Sequence, residues 1–321
     1  MKMNENKAAY RLTKKYTAMG TPIELTIFGS TDEKILDGAF DLILYFEDLF
    51  TVNRMSSELM DVNHAAGIAP VAVSEPVFRL TEIAIENSLA NFGFNATIGP
   101  LVKLWRIGFA DARLPRTDEI DEKRALIRPE DVVLDADNFS IFLKKKLMEL
   151  DLGAIAKGYI ADRIKDYWQA YGIASGIVNL GGNLLLIGQA PHHADKKWRV
   201  GVRNPFEKSG KAVLSVLTTA KSFVTSGISE RNFEQDGKVY HHIIDPKTGY
   251  PHDNSIASVT VLTDQSMRGE LESTRLFFAD ATPANYPYAA IVIHKDYSVE
   301  LINLPAWQIH IKDDRFYLKK D

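Results

Sequence analysis

From residue 176 onward the chain breaks into short apolar runs, at 176–180, 184–188, 198–202, 213–219, 239–244 and 257–262. Gly, Asn and Pro separate them, and runs this short with such punctuation read as strands. The first half keeps a different rhythm. Ile35, Leu36, Ala39, Ile43, Phe46 and Phe50 recur at three and four, which predicts an amphipathic helix over 31–50. Ser74-Glu75-Pro76 is a helix start, and 76–91 reads as a second long helix. Residues 155–171, stopped by Gly172, and 267–279 read as two more. Ile23, Leu25 and Ile27 alternate with Glu24 and Thr26 as a strand with one buried face. Asp135-Ala136-Asp137-Asn138 is a turn between two short strands, and the charged stretch 111–131 reads as a solvated excursion. Helices and strands without regular βαβ alternation place the chain in the α+β class. No repeat or linker divides it, so 1–321 reads as a single domain.

Composition removes several functions. The chain has 321 residues, 45% hydrophobic and 25% charged, which is enough for a large core. A net charge of -4 carries no basic footprint, so nucleic acid is not an expected partner. With no cysteine there are no disulfides, thiolate metal sites or cysteine nucleophiles. No run is long enough for membrane insertion, and the polar start MKMNENKAAYRLTKKY lacks an apolar signal core. A cytoplasmic location is the expectation.

Four segments can carry chemistry, and each also has a plain structural explanation. Asp151-Leu152-Gly153-Ala154-Ile155-Ala156-Lys157-Gly158-Tyr159 follows an apolar strand and opens a helix. Helix-start amides favour phosphate and Lys157 can meet one as a point charge, or Asp151 simply caps the helix. Asn179-Leu180-Gly181-Gly182-Asn183 is either a hairpin turn or a backbone surface for a flat or anionic ligand. Thr225-Ser226-Gly227 offers small hydroxyls to a phosphate or ring edge, with no hydrolase elbow around them. Glu270 and Thr274 share a helix face and can offer oxygens to a hard cation, or are ordinary helix-start polarity. His192-His193 reads as solvated loop.

The fifth segment is His241-His242-Ile243-Ile244-Asp245-Pro246-Lys247-Thr248-Gly249-Tyr250-Pro251. Imidazole is the side chain best suited to move a proton near neutral pH, and here two stand where a strand runs into a sharp turn, or the segment is a strand-to-turn connection with incidental histidines.

These segments, taken in chain order, resemble the ApbE family, the FAD:protein FMN transferases. The match also takes in Met19-Gly20-Thr21, Ser57-Glu58-Leu59, Asn63, Thr97-Ile98-Gly99-Pro100-Leu101, Trp105 and Val202-Arg203-Asn204-Pro205. The resemblance implies a T-fold-like arrangement of mixed sheet and helix layers, with the FAD site between two closely packed lobes. It implies a Mg²⁺-dependent enzyme that cleaves the FAD pyrophosphate, moves FMN to a Ser or Thr hydroxyl of an acceptor flavoprotein, and releases AMP. By that analogy His242 is the base and Asp245 orients or stabilises it. Met19, Asn53, Asp151, Lys157, Gly181, Gly182, Thr225, Ser226 and Ile244 line the FAD site, with Ala96, Thr97 and Ile98 nearby. Glu270, Thr274 and the carbonyl of Ala154 hold Mg²⁺.

Two positions depart from the family pattern. Glu270 stands where relatives usually have Asp, and Asn53 where many have Tyr. The lost ring leaves room for water, so FAD pyrophosphatase activity is an alternative, and a non-catalytic FAD-binding protein is a third. Many relatives are exported lipoproteins. This sequence shows neither leader nor lipid-bearing cysteine, which favours a soluble acceptor such as a reductase with an FMN-bearing module.

Overall fold

The computed structural model describes residues 10–207, 210–279 and 281–319, so the polar start 1–9 lies outside the described residues. The chain opens as a hairpin of β1 (Arg11–Ala18) and β2 (Thr21–Phe28). There follow α1 (Lys34–Phe50), α2 (Glu58–His64), β3 (Val71–Ala72), α3 (Glu75–Leu89), α4 (Gly99–Trp105) and α5 (Thr117–Arg124). The pair β4 (Val132–Asp135) and β5 (Ser140–Leu143) leads to α6 (Gly153–Ala170). Strands then dominate, as β6 (Gly176–Leu180), β7 (Asn183–Ile187), β8 (Trp198–Arg203), β9 (Ala212–Thr218), β10 (Ser222–Gly227), β11 (Asn232–Gln235), β12 (Lys238–His241) and β13 (Ile256–Thr263). Helix α7 (Ser266–Phe278) precedes β14 (Ala289–His294), β15 (Ser298–Ile302), β16 (Ile309–Ile311) and β17 (Tyr317–Leu318). The architecture is α+β.

Nine strands form the main sheet in the order β1-β2-β6-β7-β10-β13-β14-β15-β17. All neighbours are antiparallel except β15 and β17. One face is covered by helices: Ile155, Ile160 and Leu271 share a core cluster with Leu25, Val178 and Leu185. The other face is covered by the small sheet β16-β9-β8, where Trp198, Val200 and Leu214 pack on Phe223, Leu262 and Ile291. Central β13 is therefore buried at all eight positions. A strand covered on both faces has no polar side to alternate with.

The structure corrects the sequence reading in two regions. Stretch 111–131 is not simply solvated: it contains α5, whose Ile120 is fully buried beside Leu101 and Trp105. One apolar residue among charges gives no periodic signal, so this helix is visible only through its packing. The expected strand 239–244 ends at His241, and beyond it only an isolated bridge joins Ile244 to Pro251.

Candidate active site

Two hairpin turns meet at one end of the main sheet. Between β1 and β2, Met19 and Gly20 take φ of 53° and 66°, the left-handed pair that a two-residue turn between twisted strands needs. Gly181 and Gly182 do the same between β6 and β7, at 62° and 99°. Because Ile23 of β2 pairs with Leu180 of β6, the turns lie side by side. A Cβ on Gly181 would fall 2.0 Å from the Thr21 hydroxyl oxygen. The register of β10 against β7, with Phe223 opposite Leu184, carries Thr225, Ser226 and Gly227 towards the same end. The two hydroxyls separate there, because neighbours on a strand face opposite ways. Ser226 bonds Ser273 of α7 at 2.9 Å, whereas Thr225 bonds Thr260 of β13 at 2.8 Å. Ser226 thus stands on the helix side of the sheet and Thr225 on the other.

Helix α7 brings a carboxylate to the helix side. Glu270 is buried, and Asn183 Nδ2 donates to its Oε1 at 2.7 Å. Ser266 donates to Asn183 Oδ1 at 2.7 Å, which fixes the amide's orientation. Helix α6 crosses α7 at Gly158, where a Cβ would lie 2.6 Å from both Met267 Cα and the Ser266 carbonyl oxygen. One turn along α6, Asp162 accepts from the Ser266 and Met267 amides at 2.8 and 3.0 Å. It caps α7 from a neighbouring helix, since Gln265 at the N-cap makes no side-chain cap bond.

Burial pushes the Glu270 carboxyl up; the Lys157 charge, the Asn183 amide and the Gly158 N–H oppose this, while Glu230 adds to it. Gly158 N–H is the amide whose helical acceptor is the Ala154 carbonyl, so Glu270 sits beside the first turn of α6. Half-buried Thr274 lies one turn beyond Glu270. Carboxylate, hydroxyl and main-chain carbonyl are all oxygen donors, which fits a hard cation. Among the described residues no group of three or more His, Asp or Glu side chains is assembled to hold a metal.

Asp151 enters just before α6. Its Oδ1 accepts from Gly153 N at 2.8 Å, and its own N–H donates to Ala96 O at 2.8 Å. Burial raises its carboxyl, against the Gly153 amide and then the Arg231 charge. Ala96 and Thr97 are fully buried, and the Thr97 hydroxyl donates to Asn95 Oδ1 at 2.8 Å. They support Asp151 from behind, while Ile98 packs against the Trp105 cluster at the start of α4. Asn53 and Asp151 line a shallow cleft together with Lys103 and Glu149.

The hairpin β11–β12 turns the chain back so that His242 lies against Arg231. His242 N donates to the Arg231 carbonyl at 3.1 Å, and His242 Nδ1 lies 3.2 Å from the same oxygen. A carbonyl only accepts, so Nδ1 carries the proton and Nε2 keeps its lone pair. Burial first, then the charge of Arg231, pushes this imidazole down to about 3; His241 and Lys157 push the same way.

Residues 19–287 match the sequence profile of the ApbE family. The chain belongs to the ApbE family. It is 47% identical over 260 residues to a FAD:protein FMN transferase of Klebsiella pneumoniae (strain 342), covering 81% of this chain and 79% of the relative. A FAD:protein FMN transferase of Treponema pallidum (strain Nichols) is 36% identical over 254 residues, 75% of this chain and 70% of that one. Among solved structures, the ApbE protein of Thermotoga maritima shares the fold with a TM-score of 0.82 at 24% identity, covering 92% of this chain and 97% of the other. The flavin transferase ApbE of Vibrio cholerae superposes with a TM-score of 0.77 at 26% identity, over 89% and 94% of the two chains.

In this ApbE chain the sequence-derived residues do not all converge. Met19, Gly181, Gly182, Ser226, Asp151, Lys157, His242, Glu270 and the first turn of α6 gather at the sheet end. The bonds of Asp245 go elsewhere: it accepts from Lys247 N at 2.8 Å and faces His252 Nδ1 at 3.2 Å. It shapes the turn, and the Arg231 carbonyl orients His242. Ile244 packs its side chain into the Trp105 cluster. His241 is spent on structure, with Nε2 donating to His252 O at 3.0 Å and Nδ1 accepting from Ile243 N at 3.3 Å. His192 packs edge-on against Phe28, away from these residues. Sequence reasoning missed Arg231 and Asp162. Neither belongs to a recognisable local pattern, and each acts on a segment far from it or across a hairpin.

Proposed function

We propose that this chain is a FAD:protein FMN transferase, acting on a Ser or Thr hydroxyl of an acceptor flavoprotein and releasing AMP. The observation that carries the proposal is His242, held neutral, its Nε2 without a hydrogen bond among the described residues, and within electrostatic reach of Lys157 and Arg231. The acceptor hydroxyl gives its proton to Nε2. Its oxygen bonds to the phosphorus on the FMN side of the FAD pyrophosphate. The bond from that phosphorus to the bridging oxygen breaks, and AMP leaves with the electron pair. An anionic pyrophosphate opposite Arg231 and Lys157 offsets their charge and raises the proton affinity of His242 towards the working range.

Glu270, Thr274 and the Ala154 carbonyl are the oxygen set proposed for Mg²⁺, which when bound neutralises charge on the pyrophosphate oxygens. Lys157 supplies a fixed positive charge, and the Gly181-Gly182 turn leaves main chain open to a ligand.

The test combines FAD, Mg²⁺ and candidate acceptors, including soluble reductases with an FMN-bearing module. Flavin that stays on the acceptor through denaturing electrophoresis, with AMP released in step, is the expected result. Chelating the metal should stop it. His242→Ala should lower transfer by about 10²–10⁴-fold while sparing FAD binding. Equal FMN and AMP without acceptor would instead mark a pyrophosphatase. Exposed Asn53, which brings no ring to the cleft, favours that second reading. Persistent FAD binding without AMP would mark a non-catalytic binder.

A further inference from the structure

We infer that Arg231 is a further catalytic residue: its guanidinium contacts the phosphoryl group in transfer while its main-chain carbonyl aims the base. The inference rests on the transferase proposal. Arg231 follows β10 and precedes β11. Its stem runs past Gly108, where a Cβ would lie 2.8 Å from Arg231 Cδ. Its tip reaches the β1–β2 turn, where a Cβ on Gly20 would lie 3.9 Å from Nη2. The guanidinium is thus placed at the sheet end where the two hairpin turns meet, and its charge acts on both Asp151 and His242.

Nearby Lys103 pairs with Glu149 at 2.7 Å and Arg106 with Asp111 at 2.6 Å. Among the described residues the Arg231 guanidinium has no ion pair or hydrogen bond, although it is within electrostatic reach of Asp151. An exposed, unpaired guanidinium beside a neutral imidazole leaves its planar fork of donors open to two oxygens of one phosphoryl group. Lys157 adds a point charge that also acts on His242. Negative charge that builds on the phosphoryl oxygens during transfer meets donors already in place.

Arg231→Ala and Arg231→Lys separate the two roles, because both keep the carbonyl that holds His242. Loss of the guanidinium should lower kcat for AMP release by about 10²–10³-fold. Lysine should restore part of it, and free guanidinium ion should rescue the alanine variant. The acid limb of the kcat–pH profile should also move to higher pH in Arg231→Ala. One of the positive charges facing His242 is gone, leaving Lys157 and His241. A kcat within threefold of the parent and an unmoved acid limb would overturn the assignment. The parent protein is the control for the underlying proposal. If it hydrolyses FAD without modifying any acceptor, the transferase proposal fails but AMP release still tests Arg231. If it releases no AMP at all, FAD affinity decides. A tenfold weakening in Arg231→Ala supports phosphate contact, and unchanged affinity overturns it.

Discussion

At the scale of single residues, burial shifts how readily the groups of the site hold protons. Glu270 is a carboxylate buried beside Asn183, with its proton affinity raised by that burial. A raised carboxyl binds protons more readily folded than unfolded, so its contribution to stability is lost as pH rises through the folded value. At neutral pH without metal, Glu270→Gln should therefore raise the melting temperature while removing Mg²⁺-stimulated AMP release. Calorimetry with and without Mg²⁺ checks both halves, and a lower metal-free melting temperature would count against the buried-charge argument. Asn183 is the residue to watch in that variant, since its Nδ2–H needs the Gln oxygen as acceptor.

At the scale of elements, the crossing of α6 and α7 sets the distance between Lys157, proposed to meet the phosphate, and Glu270, proposed to hold the metal. Gly158 lets the two backbones touch, and Asp162 satisfies amides that α7 leaves open at its start. Asp162→Ala should cost about 0.5–2 kcal/mol, as loss of a helix cap does. It should also raise the Mg²⁺ concentration for half-maximal turnover more than the KM for FAD, because α7 carries Glu270 and Thr274. Thermal melts and a two-substrate titration give both numbers. Equal changes in the two constants would show that Asp162 does not bear specifically on the metal side.

At the scale of the whole molecule, acid should loosen the protein around β12. Burial pushes His241 from the ordinary 6.5 down to about 4, and His242 lower still, to about 3. Below 6.5 the unfolded chain takes up protons that the folded histidines refuse. Stability should fall as pH drops from 6.5 towards 4, by at most about 1.4 kcal/mol per pH unit for each histidine. Melting curves across that range test it. His241→Asn should flatten the slope if His241 is responsible. Among the described residues no helix is long and apolar enough to cross a membrane.

Much of this was legible along the chain. Gly176–Leu180 came out as a strand with its bounds intact, because a turn and its glycines delimit it. The long helices were recovered within a few residues from their apolar spacing. The seven-residue α2 and α4 were not, since two turns give too few repeats to show a period. Local chemistry also pointed to the His241-His242 pair, Lys157, Glu270 and the glycine turns, because their residue types and neighbours are adjacent in sequence, and the family resemblance then singled out His242. Contacts across elements were beyond it. That Ser226 and Thr225 part company follows from which face of β10 the helices cover. That an arginine carbonyl serves His242 follows from the β11–β12 register, and that Asp245 serves His252 follows from the turn that the Ile244–Pro251 bridge closes. The sequence by itself determined which side chains were available and which segments were strand or helix. Only the tertiary structure decided which of them meet, because burial, charge and hydrogen-bond partners at this site come from segments tens to hundreds of residues apart.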